Sequence, residues 1–128
     1  MKLALGQKGR IVPPPVLDDP FQRVALTVAS WPSVIAATHW HFSRNGVVDG
    51  ADFYAGEHEI GHIHLNGDVH LATDEKLQTK FLSEGRAQPF MYGGSYAVWT
   101  QFSIRTESDA DYAILLFQQI YEQIQGES

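Results

Sequence analysis

The chain lacks cysteine and long apolar runs, and these absences exclude thiol chemistry and membrane-spanning helices. Without cysteine among its 128 residues, it has no disulfide framework, no thiolate nucleophile and no thiolate zinc site. Its apolar stretches fall well short of the about 20 residues that a membrane-spanning helix needs. The first ten residues contain no apolar signal core and Pro13 follows soon after, so we expect a cytoplasmic protein that does not contact membranes.

Positive charge is also scarce. The formal net charge is −6, and the lysines and arginines form no stripe. Because binding to phosphates requires clustered basic side chains, we expect no nucleic-acid partner. Hydrophobic residues make up 44% and charged residues 19% of the chain, which is typical of a globular domain that buries one core. The oligomeric state is left open.

The order of sequence patterns predicts a single α+β domain over residues 19–126, preceded by an extended N-terminal arm over residues 1–18. The triple proline of the arm favours an extended conformation. Because the strand patterns follow one another in hairpins, we expect a mostly antiparallel sheet with about three helices packed on one face. The predicted strands cover residues 33–42, 47–54, 57–65, 69–72 and 96–105.

Capping signals predict where the three helices begin and end. Asp19 is expected to cap the first helix, with Pro20 at its first position. The second helix is expected to open at residues 73–75 and to stop at Gly85. Ser108 and Asp111 have the spacing of a capping box for the closing helix, whose apolar residues follow one stripe.

Four of the six histidines fall within thirteen residues of a predicted hairpin, and the loop length decides what they can do. A two-residue loop at Asn66-Gly67 would mix polar and apolar side chains on both faces. A three-residue loop over 66–68, with Gly67 at positive φ, would pair Leu65 with Val69. It would place one apolar set on one face and three histidines on the other, and burying each aliphatic side chain is worth about 1.5–3 kcal/mol. We therefore expect the second register, with Ile63, Leu65, Val69 and Leu71 opposite His62, His64 and His70.

Three imidazoles on one strand face allow three interpretations. They could bind a metal ion, as three-histidine sites do. They could act as general bases near neutral pH. They could also be a solvated polar face without chemistry.

Two further patterns contain histidine. His58 to His62 matches the H-E-x-x-H motif of metalloproteases, but that motif requires a helix, whereas Gly61 and the following alternation favour a strand. His39 and His41 share a face of another predicted strand. They could extend the site if that strand lies beside the hairpin.

The stretch from Phe53 to Tyr121 resembles the luciferase-like domain of fungal luciferases and of many small bacterial proteins. The resemblance lies in three strings and two helices. The strings are Glu59-Ile60-Gly61-His62-Ile63-His64, Val69-His70-Leu71 and Trp99-Thr100-Gln101-Phe102; a short helix ending at Gly85 and the closing helix complete it. The segment 88–95 departs from the pattern, since it lacks a histidine that many bacterial relatives carry.

The resemblance implies a function and a set of residues. In the fungal members a polyphenol-derived pyrone is oxygenated by O₂, with no established metal or organic cofactor. It implies Glu59, His62, His64 and His70 as catalytic residues and Trp99 as a wall of the substrate pocket. We thus expect a small-molecule binder or a cofactor-independent oxygenase-type enzyme. A three-histidine metal-binding protein and a non-catalytic accessory domain are the alternatives.

Overall fold

The computed structural model describes residues 10–90 and 97–127. Within these residues, six antiparallel strands form one sheet and three helices accompany it, so the predicted α+β class is confirmed. The elements are α1 (Phe21–Ala29), β1 (Val34–Trp40), β2 (Val48–Ala55), β3 (His58–His64), β4 (Asp68–Leu71), α2 (Glu75–Ser83), β5 (Gln88–Pro89), β6 (Thr100–Ser103) and α3 (Glu107–Glu127). The strand order across the sheet is β1-β2-β3-β4-β6-β5.

The hydrophobic core lies between the helices and one face of the sheet, which we call the helix face. Apolar side chains from β2, β3, β4 and β6 meet those of all three helices there. Phe117 of α3 is fully buried and packs edge-to-face on Phe53 of β2, with 5.7 Å between ring centroids. No helix in the described part of the chain has the length and apolar character needed to cross a membrane.

Two of the three predicted helix starts need correction. In α1, Pro20 occupies the capping position and no side chain caps the helix, so the prediction that Asp19 caps it is wrong. In α3, the capping pair lies two residues earlier than predicted. The Thr106 hydroxyl accepts a hydrogen bond from the Asp109 N–H, and the Asp109 carboxylate accepts one from the Thr106 N–H. This reciprocal pair is a capping box, so the motif was expected correctly but at the wrong residues.

The second helix begins and ends where the sequence predicts. The Asp74 carboxylate accepts a hydrogen bond from the Leu77 N–H at 2.9 Å. Gly85 follows the last turn at φ +84°, the left-handed conformation that commonly ends a helix. The predicted strand over 96–105 is shorter in the structure, because β6 spans Thr100–Ser103. Tyr96 lies outside the described residues, and the two-residue strand β5 was not predicted.

The histidine hairpin has the predicted faces but a different register. Ile63 pairs with Val69 and His62 with His70, so the loop consists of residues 65–67 and begins one residue earlier than expected. Because this is a shift of two residues in pairing, every side chain stays on its predicted face. Leu65 is the exception, since it lies in the loop and is 45% exposed. Gly67 adopts φ +91°, as the turn requires.

Two β-bulges interrupt the regular alternation of the sheet. In the first, His39 pairs with Gly50 but Trp40 with Val48, so Asp49 is the extra residue of β2. In the second, Phe53 pairs with Gly61 and Tyr54 with Glu59, so Ile60 is the extra residue of β3. A bulge redirects the side chains on either side of it. As a result, Asp49 and Glu59 point to the side of the sheet opposite the helices.

The end of the N-terminal arm lies along β1. The backbone of Thr38 donates a hydrogen bond to the Val12 carbonyl at 2.9 Å, and the Thr38 hydroxyl donates one to the Pro13 carbonyl at 2.7 Å. Leu17 is buried in the core. The described part of the arm, residues 10–18, thus runs over the sheet edge and into the domain.

Candidate functional site

Three imidazoles meet on the sheet face opposite the helices. The Nδ1 atom of His70 lies 2.9 Å from Nε2 of His62 and 3.1 Å from Nε2 of His64. The three rings stand steeply to one another, at 68–77° between planes. The prediction that these histidines share a face is therefore confirmed, and we call this side of the sheet the histidine face.

A carboxylate holds the far nitrogen of two of these rings. The Oε2 atom of Glu59 lies 2.8 Å from Nδ1 of His62, and Oδ2 of Asp49 lies 2.8 Å from Nδ1 of His64. Both carboxylates come from the bulges, which place them behind the rings rather than in the core. The structure thus brings together all four residues that the resemblance implies as catalytic, including Glu59.

A second pair of side chains extends the cluster toward β1. His39 stacks on His62 with 3.9 Å between ring centroids and 12° between planes. Its Nδ1 atom lies 2.7 Å from Oδ1 of Asp52. The Tyr54 hydroxyl donates a hydrogen bond to the other oxygen of Asp52 at 3.2 Å. Strand β2, which pairs with both β1 and β3, provides Asp52 and so connects His39 to the hairpin.

The polar cluster is largely shielded from solvent. Glu59 is fully buried, Asp52 is 2% exposed, and His62 and His39 are 6% and 7% exposed. Burial lowers the pKa of His64, and the nearby His39 acts in the same direction, while Asp49 opposes the shift. Burial raises the pKa of Tyr54 well above its ordinary value, and the charges of Asp52 and Glu59 add to the effect. His64 is therefore held toward its neutral form and Tyr54 stays protonated.

Aromatic rings flank the cluster on the β5–β6 side. Phe90 lies against His70 with 4.4 Å between ring centroids, and Trp99 lies 6.0 Å from His62 and 6.3 Å from Phe90. Trp99 is only 1% exposed, whereas Phe90 is partly exposed. Both rings thus stand beside the imidazoles, with Phe90 nearer to the surface.

The hydrogen bonds determine which nitrogens are available for chemistry. A carboxylate in its ionised form only accepts hydrogen bonds, and with Glu59 and Asp49 in that form the Nδ1 atoms of His62 and His64 are the donors. On neutral rings, the Nε2 atoms then carry lone pairs. Nδ1 of His70 faces both of these lone pairs. The three nitrogens can therefore share one proton, which lies on His70 Nδ1 and is directed at the other two rings.

Two other histidines lie outside the cluster. His58 is exposed on β3, so the helical zinc site of the H-E-x-x-H motif does not form. His41 accepts hydrogen bonds from the backbone of Ser43 and Arg44 in its own turn. The expectation that His39 and His41 extend the site together therefore holds only for His39.

Asp49 and Asp52 are site residues that the sequence patterns did not single out. The available signal was their position in a predicted strand that also contains Gly50. A glycine inside a strand often marks a bulge, and this one could have directed attention to Asp49. One groove in the described part of the chain is lined by Arg86, Gln88, Gln101, Phe102, Ser103 and Asp109, and no residue of the histidine cluster lines it. An aromatic pocket beside the three histidines stays a prediction.

Comparison with known proteins agrees with the sequence motifs. Residues 57–119 match a family model described as Luciferase domain. No match is found among the curated proteins or among the solved structures. The matched segment contains Glu59, the three converging histidines and Trp99, whereas His39, Asp49 and Asp52 precede it. The predicted resemblance is therefore confirmed, and over residues 57–119 the chain is similar to the luciferase domain family.

Proposed function

We propose that the chain is an oxygenase-type enzyme that binds a small, electron-rich organic molecule on the histidine face. The observation that carries the proposal is the position of His70 Nδ1, which lies 2.9 Å from Nε2 of His62 and 3.1 Å from Nε2 of His64. Carboxylates behind two of the rings keep their tautomers fixed. The similarity to the luciferase domain family supports oxygen chemistry, and the site supports a role for these residues in it.

Binding is assigned to the aromatic side of the cluster. Phe90 and Trp99 offer ring faces and edges on which a flat, unsaturated molecule can stack. A molecule stacked there brings a hydroxyl group close to His70, whose ring touches Phe90. A hydroxylated pyrone or a related enol fits this site, because its ring can stack on Phe90 and Trp99 while its hydroxyl group faces the imidazoles.

The reaction begins with the loss of the enol proton to the imidazole cluster. The resulting enolate is electron-rich at carbon, and the positive charge left on the cluster stabilises it. The carbon then donates an electron pair to O₂, and a C–O bond forms. The peroxide takes up the proton, so the balance is one substrate plus one O₂ giving one hydroperoxide. Carbon is oxidised by two electrons, and O₂ is reduced to the peroxide level.

A panel of aryl-substituted 4-hydroxy-2-pyrones tests the proposal. We expect uptake of O₂ with the wild-type chain and a product heavier by two oxygen atoms. His64→Ala should lower the rate by about 100-fold or more, as is usual for loss of a proton-transfer group. Its melting temperature should hardly change, because His64 and Asp49 are both partly exposed and Asp49 can be hydrated.

His41→Ala is the matched control, since His41 lies in a surface turn away from the cluster. It should keep the wild-type rate. Absence of both binding and O₂ uptake for every pyrone would contradict the proposal and leave a non-catalytic accessory domain as the better description. Equal rates in His64→Ala and wild type would contradict the assignment of the histidine face.

A further inference from the structure

Two side chains around the start of α2 hold the backbone segment that carries Trp99. Thr73 and Gln78 donate hydrogen bonds to three successive carbonyl groups, at positions 97–99. We infer that this pair, which we call the Thr73–Gln78 clamp, positions Trp99 for substrate binding without touching the substrate itself. The inference rests on the proposed function, because it concerns the aromatic side of the same site.

The side-chain amide of Gln78 bridges two of these carbonyl groups. Its Nε2 atom donates to the carbonyl oxygen of Ala97 at 3.0 Å and to that of Trp99 at 2.8 Å. A glutamine amide nitrogen carries two hydrogens, so one side chain satisfies both acceptors. The Trp99 carbonyl also accepts a hydrogen bond from the backbone N–H of Phe90 at 3.0 Å. Gln78 therefore binds at the carbonyl group that joins the two aromatic residues of the site.

The hydroxyl group of Thr73 holds the carbonyl between those two. It donates to the carbonyl oxygen of Val98 at 2.6 Å and lies 2.9 Å from the hydroxyl oxygen of Thr100. Because a hydroxyl group has one proton and Thr73 gives it to a carbonyl, Thr100 is the donor in the second bond. Thr73 is 4% exposed and Thr100 is fully buried. Loss of the Thr73 hydroxyl therefore leaves both of its partners unsatisfied in a buried place.

The position of residues 97–99 in the fold explains why side chains hold them. They precede β6 and lie outside any strand, and backbone carbonyl groups need donors from somewhere. The Thr73–Gln78 clamp supplies these donors from a neighbouring helix. A segment held at three successive carbonyl groups keeps its backbone in place. The Trp99 ring consequently stays 6.0 Å from the ring of His62 and 6.3 Å from that of Phe90.

The clamp acts on affinity for the substrate and not on the proton transfer. A binding group that is already in place when the ligand arrives loses less conformational freedom on binding. Trp99 and Phe90 are the rings on which a flat molecule stacks, whereas the imidazoles take up the proton. Removing the clamp should therefore weaken binding of a pyrone while the rate of the bound complex stays the same.

Binding is measured on the full-length chain by calorimetric titration with the 4-hydroxy-2-pyrones without O₂, so that no turnover occurs. Gln78→Met and Thr73→Val remove the donors but keep side chains of similar size. Each should raise Kd by about 10-fold, which corresponds to the loss of one aromatic contact, and kcat measured with O₂ should not change. Thr73→Ser keeps the hydroxyl group and should restore the wild-type Kd. Gln78 is partly exposed, so Gln78→Met should fold even where Thr73→Val loses stability.

The position of Trp99 is measured separately by ¹⁹F NMR of protein labelled with 5-fluorotryptophan. The chain has three tryptophans, and Trp99→Phe identifies the resonance of Trp99. Gln78→Met should shift and broaden this resonance. The resonances of Trp31 and Trp40 should stay unchanged, because these rings contact α3 and the N-terminal arm instead. A lower melting temperature with an unchanged Trp99 resonance and an unchanged Kd would show a merely structural role and overturn the inference.

Thr79→Val and Gln119→Met are the matched controls. They remove the same groups from exposed side chains whose donors bond within their own helices. Neither variant should alter Kd or the Trp99 resonance. An effect of Thr79→Val as large as that of Thr73→Val would overturn the assignment of the clamp.

The two measurements separate this inference from the proposed function. Wild-type protein that binds no pyrone, together with a changed Trp99 resonance in Gln78→Met, would contradict the proposed function but uphold the positioning of Trp99 by the clamp. Turnover of a pyrone with the same Kd in the wild type and in both clamp variants would uphold the proposed function and overturn the inference.

Discussion

The two faces of the sheet use the same strands for opposite purposes. On the helix face, Ile63, Val69 and Leu71 are fully buried against the helices. On the histidine face, the residues between them in sequence carry imidazoles whose positions depend on individual hydrogen bonds. Apolar burial has no preferred direction, whereas a buried polar network fails when one partner is missing. We therefore expect the helix face to determine stability and the histidine face to determine function.

The largest effect on stability is expected from the helix face. Phe117→Ala removes a fully buried ring that packs on Phe53 and lies beside Gly61. Deleting a buried phenylalanine costs about 3–5 kcal/mol, because transfer energy is lost and a cavity remains. The free energy of unfolding, measured by urea denaturation, should fall by this amount. A smaller loss than in His64→Ala would reverse the contrast between the faces.

The division between the faces could be predicted from sequence because it depends only on alternation. Ile63, Val69 and Leu71 alternate with His62, His64 and His70 through the turn, and a register error of two residues leaves the parity intact. The predicted position of the turn was wrong, so Leu65 was assigned to the core although it lies in the loop. The face that each side chain occupies is determined by the alternation of many residues together. The position of a turn depends on only a few local contacts.

A second, smaller effect on stability is expected at Gly61, which lies against residues of both faces. Gly61 has φ +153°, and a Cβ there would lie 2.6 Å from the His70 carbonyl oxygen and 2.8 Å from a Phe117 ring carbon. Gly61→Ala should therefore cost about 1–3 kcal/mol through strain. It should also weaken pyrone binding, because the bulge that directs Glu59 toward His62 begins at Gly61.

Gly56 provides the matched control for this substitution. It also has positive φ, +61°, but a Cβ there meets no atom within 4 Å. Gly56→Ala should thus lose some stability from its backbone conformation while binding stays unchanged. Equal effects on pyrone binding in Gly56→Ala and Gly61→Ala, measured by calorimetry, would show that the contacts around Gly61 do not shape the site.

The carboxylates of the site were harder to predict because they break the alternation. Glu59 was expected only through the family resemblance, since regular pairing from Gly61 would have turned it toward the helices. Asp49 is the extra residue of a bulge and reaches His64 for the same reason. A bulge depends on the pairing of two distant segments. The sequence around Asp49 contains no local signal for it beyond Gly50.

The smallest predicted effect is a pH dependence that belongs to the helices alone. Burial by itself would raise the pKa of Asp109, but hydrogen bonds from the Arg105 backbone, the Arg86 side chain and Thr106 outweigh it and lower the pKa below the ordinary 3.8. The folded chain then binds fewer protons than the unfolded chain at acidic pH. The stabilisation is fully present well above the ordinary pKa of 3.8 and is lost as the pH falls through the lowered pKa.

Asp109→Asn should remove this part of the acid dependence while leaving the histidine face intact. Urea denaturation between pH 2.5 and about 5 should give a shallower decline of stability for the variant than for the wild type. Asp109 caps α3, and its oxygens contact Arg86 and Arg105 rather than any histidine. Pyrone affinity near neutral pH should therefore not change. A variant with an unaltered acid slope would mean that the capping carboxylate is not the group that titrates. A loss of pyrone affinity would mean that the start of α3 and the histidine face are coupled, which would contradict the expectation that the helix face determines stability and the histidine face determines function.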